Sequence, residues 1–508
     1  MASNPPAVEL RGLTKQFGTL LANDGVSFRV HAGTIHGVIG ENGAGKSTAM
    51  KILYGMLQPD AGQIVVNGRV CEWSSPSDAI AHGIGMVHQH FMLAATYSAL
   101  DNILLGAEPL RWRAIDRAGA RQTLDTLARQ YGLPVEWDRP VEQLPVGVQQ
   151  RVEILKLLYR QARILILDEP TAVLTPQESS DLFANLQKLR AEGKTILLVT
   201  HKLKDVVSFT DRVTVLRAGT VTGEFATSDT TPQELADLMV GRKVALNIEV
   251  PPARPQTELA IEAKSLSLAG LTGSRHRLSE ISFTVRRGEI VGIAGVEGNG
   301  QSELLQALLH PRERGCRTGG RVCILGQDVT AASASQIRAL GVAIIPEDRH
   351  HEGLLLERPV SENFLLGLQR SPTFSRCGWL DLPSLSQKAL QATSDYDIRP
   401  PDLTLPAGRL SGGNQQKLIV AREFQRQPKV LIAAQPTRGV DVGAIEFIHT
   451  RIVHARDAGA GVLLVSSELD EILTLSDRIL VMFEGRIVAE YRRGEVTERD
   501  LGLKMGGG

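Results

Sequence analysis

The chain has 508 residues, which is too long for one ordinary core and suggests about two to four domains. Lysine plus arginine and aspartate plus glutamate both number 56, so the formal net charge is zero and a strongly basic, nucleic-acid-binding protein is not indicated. No stretch approaches the roughly 20 apolar residues of a membrane-spanning helix, and the first residues lack the layout of a signal peptide. We therefore predict a soluble, cytosolic protein without a nucleic-acid partner.

One sequence pattern occurs twice along the chain. GTIHGVIGENGAGKST (33–48) aligns with GEIVGIAGVEGNGQSE (288–303), and ILILDEPT (164–171) aligns with VLIAAQPT (430–437). A pattern duplicated in the same order indicates a duplicated domain.

The segment between the two copies, NIEVPPARPQTELA, is rich in proline and polar residues. This composition is typical of an extended linker. The sequence therefore predicts a first domain over 1–245, a linker over 246–258 and a second domain over 259–508.

Within each copy, short apolar runs alternate with helical patterns. In the first copy IHGVIG, RILILDE and TILLVT have strand character, and QQRVEILKLLYRQ has helical periodicity. This alternation predicts an α/β domain with parallel strands and crossover helices. The segment from about 95 to 160 is mostly helical and lies between two such strands, so we predict a helical subdomain inserted in the α/β core.

A glycine-rich loop in the first copy fits the pattern G-x-x-x-x-G-K-[ST] between a predicted strand and a predicted helix. Its residues are Gly40, Glu41, Asn42, Gly43, Ala44, Gly45, Lys46, Ser47 and Thr48. Glycines let backbone N–H groups close on phosphate oxygens, and the helix N-terminus adds its positive end. In this P-loop pattern Lys46 reaches the β- and γ-phosphates and Ser47 holds Mg²⁺, so the loop predicts an ATP site with magnesium.

Two carboxylates follow the buried run ILILD in the first copy. Asp168 suits a magnesium partner, and Glu169 suits a base or a group that orients water for attack on the γ-phosphate. The alternative is that this carboxylate pair caps a helix.

Four stretches of the first copy resemble the motifs of the ABC-transporter ATPases: MVHQ with Gln89, LPVGVQQR, DEPT, and VTHKL with His201. They resemble the Q-loop, the signature, Walker B and the switch histidine. The resemblance covers nearly the whole chain and implies two P-loop domains packed head to tail, with each ATP between the Walker A loop of one and the signature of the other. It further implies that Gln89 is a ligand of Mg²⁺ or water and that His201 contacts the γ-phosphate. Phe17 resembles the aromatic residue that stacks on adenine, the alternative being an ordinary core phenylalanine.

The second copy lacks the corresponding active side chains. The replacements are Gln301 for Lys46, Glu347 for Gln89, Ala434 for Asp168, Gln435 for Glu169 and Ser467 for His201. A neutral amide cannot supply the attraction that a lysine gives to a triphosphate, and loss of a general base lowers a rate by about 10²–10⁴. We predict negligible hydrolysis at this loop.

The signature stretches differ in the opposite sense. LSGGNQ in the second copy offers the hydroxyl of Ser411 and the bare N–H groups of Gly412 and Gly413 at a helix start, whereas Pro145 in the first copy has neither hydroxyl nor N–H. Asp441 in the second copy stands where the first copy has Thr175. Head-to-tail pairing would put all intact parts into one site, which we predict to be the hydrolytic one. The alternative is that the second copy is a decayed domain.

Tandem domains with one active site resemble the importer ATPases for simple sugars and nucleosides. IAAQPTRGVDVGA, IPEDR and GVEGNGQSE resemble the nucleoside branch, whose receptors are lipoproteins of the basic-membrane-protein type. This resemblance implies two integral membrane permease subunits, an indirect partnership with a substrate-binding lipoprotein, and a peripheral position on the cytoplasmic face of the cell membrane. A simple-sugar importer ATPase, a soluble tandem ABC factor acting on the ribosome and a silent regulatory ATP-binding protein are the alternatives.

Apolar residues after Gln89 and Glu347 are expected at a partner surface. Phe91, Met92 and Leu93 follow the first of these positions, and Leu355 follows the second. The resemblance implies that the two segments border the grooves that accept coupling helices of the membrane subunits. The alternative for each residue is packing within its own domain.

Overall fold

A computed structural model describes residues 6–18, 20–89, 91–111, 114–171, 174, 176–245, 248–270, 278–296, 298–311, 316–376 and 378–506. Within these residues no helix is both long and apolar enough to span a membrane. Contacts between residues divide the chain into two compact units, Met1–Val244 and Ala245–Gly508.

The first unit is an alternation of strands and helices. Its strands are β1 (Val8–Phe17), β2 (Leu20–Val30), β3 (Ile35–Gly40), β4 (Ala61–Val66), β5 (Arg69–Cys71), β6 (Ile84–Val87), β7 (Leu110–Arg111), β8 (Ala114–Ile115), β9 (Ile164–Asp168), β10 (Thr195–Thr200), β11 (Arg212–Arg217) and β12 (Thr220–Ala226). Its helices are α1 (Lys46–Leu53), α2 (Pro76–Ala81), α3 (Ala99–Leu104), α4 (Arg117–Tyr131), α5 (Val146–Tyr159), α6 (Pro176–Ala191), α7 (Leu203–Phe209) and α8 (Pro232–Val240).

The central sheet of the first unit has the order β12-β11-β3-β10-β9-β6 and is parallel except for β12. A second, antiparallel sheet has the order β2-β1-β4-β5. Side chains of β9 alternate between two cores: Leu165 and Leu167 pack with α3–α6, and Ile164 and Ile166 pack with the antiparallel sheet and α1. Burial on both faces explains why the central strands are continuous apolar runs.

The predicted helical subdomain lies between two neighbouring strands of the central sheet. β6 and β9 pair directly, but the chain between them forms α3, the β7–β8 hairpin, α4 and α5. Helix α4 begins after Asp116, whose carboxylate accepts from the Gly119 N–H, and ends at Gly132 in the left-handed region. The prediction of an inserted helical subdomain is confirmed.

The second unit repeats this series. Its strands are β13 (Leu259–Gly270), β14 (Leu278–Arg286), β15 (Ile290–Ala294), β16 (Cys316–Ile324), β17 (Gln327–Asp328), β18 (Val342–Ile345), β19 (Ser375–Arg376), β20 (Trp379–Leu380), β21 (Val430–Ala434), β22 (Gly461–Ser466), β23 (Arg478–Phe483) and β24 (Arg486–Arg492). Its helices are α9 (Gln301–Leu309), α10 (Ala334–Ala339), α11 (Val360–Leu365), α12 (Leu382–Asp395), α13 (Gly412–Phe424), α14 (Val442–Asp457), α15 (Leu469–Leu475) and α16 (Glu498–Met505), and a π-helical turn spans Arg349–Gly353.

The central sheet of the second unit has the order β18-β21-β22-β15-β23-β24. Taken from the same edge, the first unit has the order β6-β9-β10-β3-β11-β12, so the two sheets agree strand for strand. Its antiparallel sheet has the order β14-β13-β16-β17, again as in the first unit. The prediction of two tandem α/β domains is therefore confirmed.

The proline-rich segment before β13 lies along the second unit. Residues 248–258 form no helix or strand. Arg456, which is fully buried, donates to the Pro251 carbonyl at 2.9 Å, and Arg493 donates to the Val250 carbonyl at 3.2 Å. These two arginines hold the segment against the domain that follows it.

Candidate functional site

The phosphate-loop pattern of the first unit connects β3 to α1, as its sequence predicts. Gly43 and Gly45 adopt φ values of 82° and 94°, which favour glycine, and Gly45 caps α1. A Cβ atom on Gly45 would lie 2.4 Å from the Ala22 carbonyl oxygen, so the loop packs tightly on the β1–β2 hairpin. The loop therefore directs the N-terminus of an eight-residue helix to the carboxyl edge of the central sheet.

Lys46 is turned into the loop that precedes it. Its Nζ donates to the Gly40 carbonyl at 2.7 Å and to the Glu41 carbonyl at 3.0 Å, and only 6% of the residue is exposed. Burial lowers the pKa of this amine, opposed by the nearby carboxylates, of which Glu169 has the largest effect. A phosphate at the loop would exchange these carbonyl partners for anionic oxygens, which bind an ammonium group more strongly.

Ser47 and Asp168 come together from distant parts of the sequence. Ser47 begins the first turn of α1 after Lys46, and Asp168 is the last residue of β9. The Ser47 hydroxyl donates to Asp168 Oδ1 at 3.2 Å. Burial is the main reason that the pKa of the Asp168 carboxyl is raised, and the hydrogen bond from Ser47 opposes it. A carboxylate held at this depth favours a cationic partner.

Glu169 and His201 follow adjacent parallel strands, β9 and β10. Nδ1 of His201 is 2.9 Å from Glu169 Oε1. Glu169 has a φ of 52°, a conformation that is unfavourable for a residue with a side chain, and its N–H donates to the Val199 carbonyl. The sharp turn brings its carboxylate next to the imidazole, beyond the end of the sheet.

Gln89 lies at the carboxyl edge of the central sheet, and Phe17 lies in the β1–β2 hairpin on which the phosphate loop packs. Val87 pairs with Leu167 in the sheet, so Gln89, two residues beyond, lies at the carboxyl edge together with Asp168, and it is exposed. Phe17 ends β1 in the hairpin on which the loop packs; it is 45% exposed and has the Lys15 ammonium 5.7 Å from its ring centroid. An exposed ring at this place is not a core phenylalanine.

The second phosphate loop keeps the backbone form of the first. Gly298 and Gly300 have φ values of 91° and 109°, and Gly300 caps α9. Gln301 is 5% exposed, and its Nε2 has no hydrogen-bond partner among the described residues. Ser302, which corresponds to Ser47, donates to Glu347 Oε2 at 2.7 Å, and the strand end that holds Asp168 in the first unit has Ala434 here.

The turn after β21 likewise has the backbone conformation of the turn after β9 but lacks its carboxylate and imidazole. Gln435 has a φ of 45°, close to that of Glu169, and its N–H donates to the Val465 carbonyl. Its Oε1 accepts from the N–H and the hydroxyl of Ser467, both at 3.1 Å. An amide paired with a hydroxyl offers no base at neutral pH.

The two signature stretches begin their helices differently. Ser411 caps α13, and its hydroxyl oxygen accepts from the Asn414 backbone N–H and side-chain Nδ2. A Cβ atom on Gly413 would lie 2.3 Å from Asp441 Oδ2, and Asp441 caps α14 by accepting from the Ala444 N–H at 2.8 Å. The lack of a side chain at Gly413 therefore lets the Asp441 carboxylate pack directly against the start of α13.

In the first unit α5 begins after Pro145, which provides no side-chain cap. A Cβ atom on Gly147 would lie 2.1 Å from Glu178 Oε1, so a glutamate of α6 takes the place that Asp441 has beside Gly413. Thr175, the counterpart of Asp441, lies outside the described residues. The helix start of the first unit thus has neither the hydroxyl nor the aspartate of the second.

Comparison with known proteins agrees with this arrangement of loops and strand ends. Residues 23–172 and 278–438 match the family described as ABC transporter. The chain belongs to the ABC transporter family. It is an ATPase whose hydrolysis of ATP is coupled to transport, and each of its units is an ABC ATPase domain.

Full-length relatives of this ABC ATPase are transport proteins. The nucleoside import ATP-binding protein NupA of Lactococcus lactis is 44% identical over 100% of this chain and 99% of its own length. The guanosine import ATP-binding protein NupO of Bacillus subtilis is 46% identical over 98% and 97%. The glucose import ATP-binding protein TsgD13 of Haloferax volcanii is 43% identical over 99% and 96%. A solved nucleotide-free ATP-binding cassette is 26% identical, with a TM-score of 0.40 over 44% of this chain and 91% of that one.

The ABC ATPase site has the oxygen donors that Mg²⁺ prefers. The hydroxyl of Ser47 and the carboxylate of Asp168 lie within 3.2 Å of each other at the start of α1. Magnesium is usually held by one or two protein oxygens together with phosphate oxygens and water. The residues present therefore fit a magnesium ion that is carried with the nucleotide.

Two supporting residues of the ABC ATPase are not evident from the sequence motifs. Asn23, fully buried in β2, donates from Nδ2 to the Gly45 carbonyl at 3.1 Å and so supports the phosphate loop. Gln150 of α5 donates to the Pro170 carbonyl at 2.7 Å, as Gln416 does to Pro436 in the second unit. The only signal for the glutamine pair is its recurrence in QQR and QQK; Asn23 lies in no motif.

Proposed function

We propose that this chain hydrolyses ATP to drive an importer of nucleosides or related small solutes, with one hydrolytic site built from both units. The observation that carries the proposal is the complementary distribution of intact parts. The first unit has Lys46, Asp168, Glu169 and His201 but a proline-capped signature. The second unit has a serine-capped signature with Asp441 but neutral side chains at the matching loop and strand end.

Head-to-tail pairing of the two units would join these intact parts. Ser411 would present its hydroxyl, and Gly412 and Gly413 their N–H groups, to a γ-phosphate bound at Lys46, with Asp441 beside them. The positive end of α13 adds to this effect. The degenerate parts would meet at the other interface, where the second loop keeps its backbone form and, on this proposal, serves the geometry of the pair and the binding of nucleotide.

The chain's own residues would carry out the reaction in the following way. The loop N–H groups and Lys46 would hold the phosphates, and Ser47, Gln89 and Asp168 would hold Mg²⁺, whose positive charge would offset the negative charge of the phosphates. Phe17 stacks on the adenine. Glu169, oriented by His201, positions a water and accepts its proton as the water oxygen bonds to the γ-phosphorus and the bond to the β–γ bridging oxygen breaks, giving ADP and phosphate.

The composite site can be tested by locating the trapped product. Vanadate with a photoreactive ATP analogue would be trapped on the assembled transporter, and the chain would be cut by limited proteolysis within residues 248–258. The proposal expects the vanadate-dependent label in the first unit, with trapping lost in Ser411→Ala. Vanadate-dependent label in the second unit would contradict it.

Membrane partners are proposed from a groove of the first unit. A cavity of about 300 Å³ is lined by Tyr54, Met56, Pro76, Ile80, Ile84, Gly85, Met86, His88, Met92, Asn102, Leu105, Glu153, Lys156, Leu157, Arg160 and Ala162. Met92 is 62% exposed beside it, and Leu355 is exposed in the second unit, whereas Phe91 and Leu93 pack partly against the core. We assign the groove to a coupling helix of one of two integral membrane permease subunits. Binding to these subunits would hold the chain on the cytoplasmic face of the membrane. A substrate-binding lipoprotein would be an indirect partner.

The nucleoside cargo is proposed from the relatives that import nucleosides and guanosine. A simple sugar is the second candidate, because a glucose importer ATPase is 43% identical along nearly the whole chain. Uptake of radiolabelled guanosine, uridine, ribose and glucose by cells that express the complete transporter distinguishes the two. Glu169-dependent uptake of a nucleoside supports the proposal, and Glu169-dependent uptake of sugars alone contradicts it.

A further inference from the structure

A short segment after β18 connects the second phosphate loop to the signature of the same unit. We call Glu347–His351 the bridge segment. Glu347 accepts from Ser302 of the phosphate loop at 2.7 Å, and His350 Nε2 is 3.0 Å from Oε1 of Gln415 in α13. Asp348 accepts from the His350 and His351 N–H groups and so fixes the backbone between these contacts.

Arg349, in the middle of the bridge segment, holds the loop that leads to Asp441. Its Nη1 donates to the Arg438 carbonyl at 2.6 Å, and its Nη2 donates to the Gly439 carbonyl at 3.2 Å. A guanidinium group is planar and rigid, so two bonds to adjacent carbonyls fix the orientation of that loop better than a single flexible ammonium could.

The same guanidinium group lies against the start of the signature helix. A Cβ atom on Gly412 would be 2.8 Å from the Gly439 carbonyl oxygen and 3.0 Å from Arg349 Nη2. At the next residue, Gly413, the absence of a side chain leaves room for the Asp441 carboxylate. Arg349 therefore binds the loop that leads to Asp441 and lies against Gly412 at the start of the signature helix.

The first unit has no arginine at the position that corresponds to Arg349. Gln89 aligns with Glu347, so Phe91 aligns with Arg349. Phe91 packs partly against the hydrophobic core and has no guanidinium to offer the loop after Pro170. The arginine is thus present in the unit with the intact signature and absent from the unit whose signature begins with Pro145.

We propose that Arg349 is a positioning residue for ATP hydrolysis, holding the 437–441 loop and the start of α13 so that Asp441 and Ser411 meet the γ-phosphate bound by the first unit. The inference rests on the composite site proposed above. Arg349 itself does not touch the nucleotide; it acts through the backbone carbonyls that it binds.

The test measures steady-state ATP turnover of the transporter with its membrane subunits. The variants are Arg349→Gln, Arg349→Lys, Ser411→Ala and the control Arg321→Gln, whose arginine is 61% exposed in an ion pair with Asp328. Because Arg349 acts only through the backbone that it positions, part of the stabilisation from its two charged-donor hydrogen bonds should reach the transition state, and kcat should fall about tenfold in Arg349→Gln. The KM for ATP should stay within about twofold, because the Walker A loop is untouched, and Arg349→Lys should recover part of kcat.

Hydrogen exchange separates positioning from general stability. Arg349→Gln should speed amide exchange in residues 437–442 and at the start of α13 while leaving the rest of the second unit and the thermal midpoint close to those of Arg321→Gln. Unit-wide faster exchange with a lowered midpoint would overturn the proposal in favour of a structural role. If Arg349→Gln does not fold, the normally folded Arg349→Lys protein tests the proposal instead. A lowered kcat in that variant supports a positioning role for Arg349, and a normal kcat overturns the proposal.

The outcomes also separate this inference from the composite site. Normal kcat in Arg349→Gln together with an inactive Ser411→Ala protein would overturn the role of Arg349 and leave the composite site in place. Normal kcat in Ser411→Ala would overturn the composite site itself, and the inference with it.

Discussion

Nδ1 of His201 lies 2.9 Å from Oε1 of Glu169, across the ends of two adjacent parallel strands. With a carboxylate as its partner, Nδ1 carries the proton, which leaves Nε2 available for a second contact. In the second unit the equivalent contact joins Ser467 to Gln435 at 3.1 Å. The two units therefore share the geometry of this pair and differ in its acid–base chemistry.

His201→Ser gives the first unit the residue of the second, and we predict a fall in kcat of at least about 10² with little change in ATP binding. The serine keeps a hydrogen bond to Glu169 but cannot orient it as an imidazole does. His31→Ser, an exposed histidine before β3, is the control. Turnover and nucleotide binding by the assembled transporter check this; normal turnover in His201→Ser would remove the histidine from the mechanism.

Asp168→Asn should stabilise the nucleotide-free protein while abolishing magnesium-dependent turnover. Burial raises the pKa of Asp168, so the folded state binds its proton more tightly than the unfolded chain, and the ionised carboxylate destabilises the fold at neutral pH. The gain in thermal midpoint, about 2–4 °C, should be absent below the ordinary carboxyl pKa, grow as the pH rises through the raised pKa, and then stay constant.

Scanning calorimetry from below the ordinary carboxyl pKa of 3.8 up to pH 8 measures this effect, with Asp138→Asn, an exposed carboxylate, as the control. A lower midpoint for Asp168→Asn at neutral pH would show that the carboxylate stabilises the empty site.

Pro145→Ser should stabilise the first unit without raising ATP turnover. The serine would supply the cap that α5 lacks, which is worth about 0.5–2 kcal/mol in other helices. Turnover should not rise, because on the proposed head-to-tail pairing the Walker motifs that would face this signature belong to the second unit and contain Gln301 and Gln435. Denaturant unfolding and turnover check the two parts; a clear rise in turnover would mean that the second loop can hydrolyse ATP.

Met92→Glu should weaken assembly with the permease subunits. The exposed thioether lines the groove of the first unit, and a carboxylate there would oppose an apolar helix. Val70→Glu, at an exposed edge strand, is the control. Co-purification with the membrane subunits checks this prediction, and unchanged recovery of the complex by Met92→Glu would place the docking surface elsewhere.

Much of the fold could be predicted because each motif occurs twice in the same order. The buried runs around Asp168 and His201 were predicted as parallel strands, and the sheet confirms them. Contacts that depend on distant side chains could not be predicted: nothing in the motifs links Asn23 to Gly45 or Arg349 to Gly439. Sequence also could not distinguish Met92, which is exposed, from Phe91 and Leu93, which pack partly inward, because all three are apolar and adjacent.

The central claim is that one hydrolytic site uses both units, and ATP turnover of the assembled transporter tests it most directly. The decisive comparison is among Glu169→Gln, Ser411→Ala and Gln435→Ala, which change the base, the opposing signature and the degenerate strand end. We predict that the first two lose nearly all turnover and that the third keeps most of it. Full turnover in Glu169→Gln, or in Ser411→Ala, would contradict the division into one working and one degenerate site.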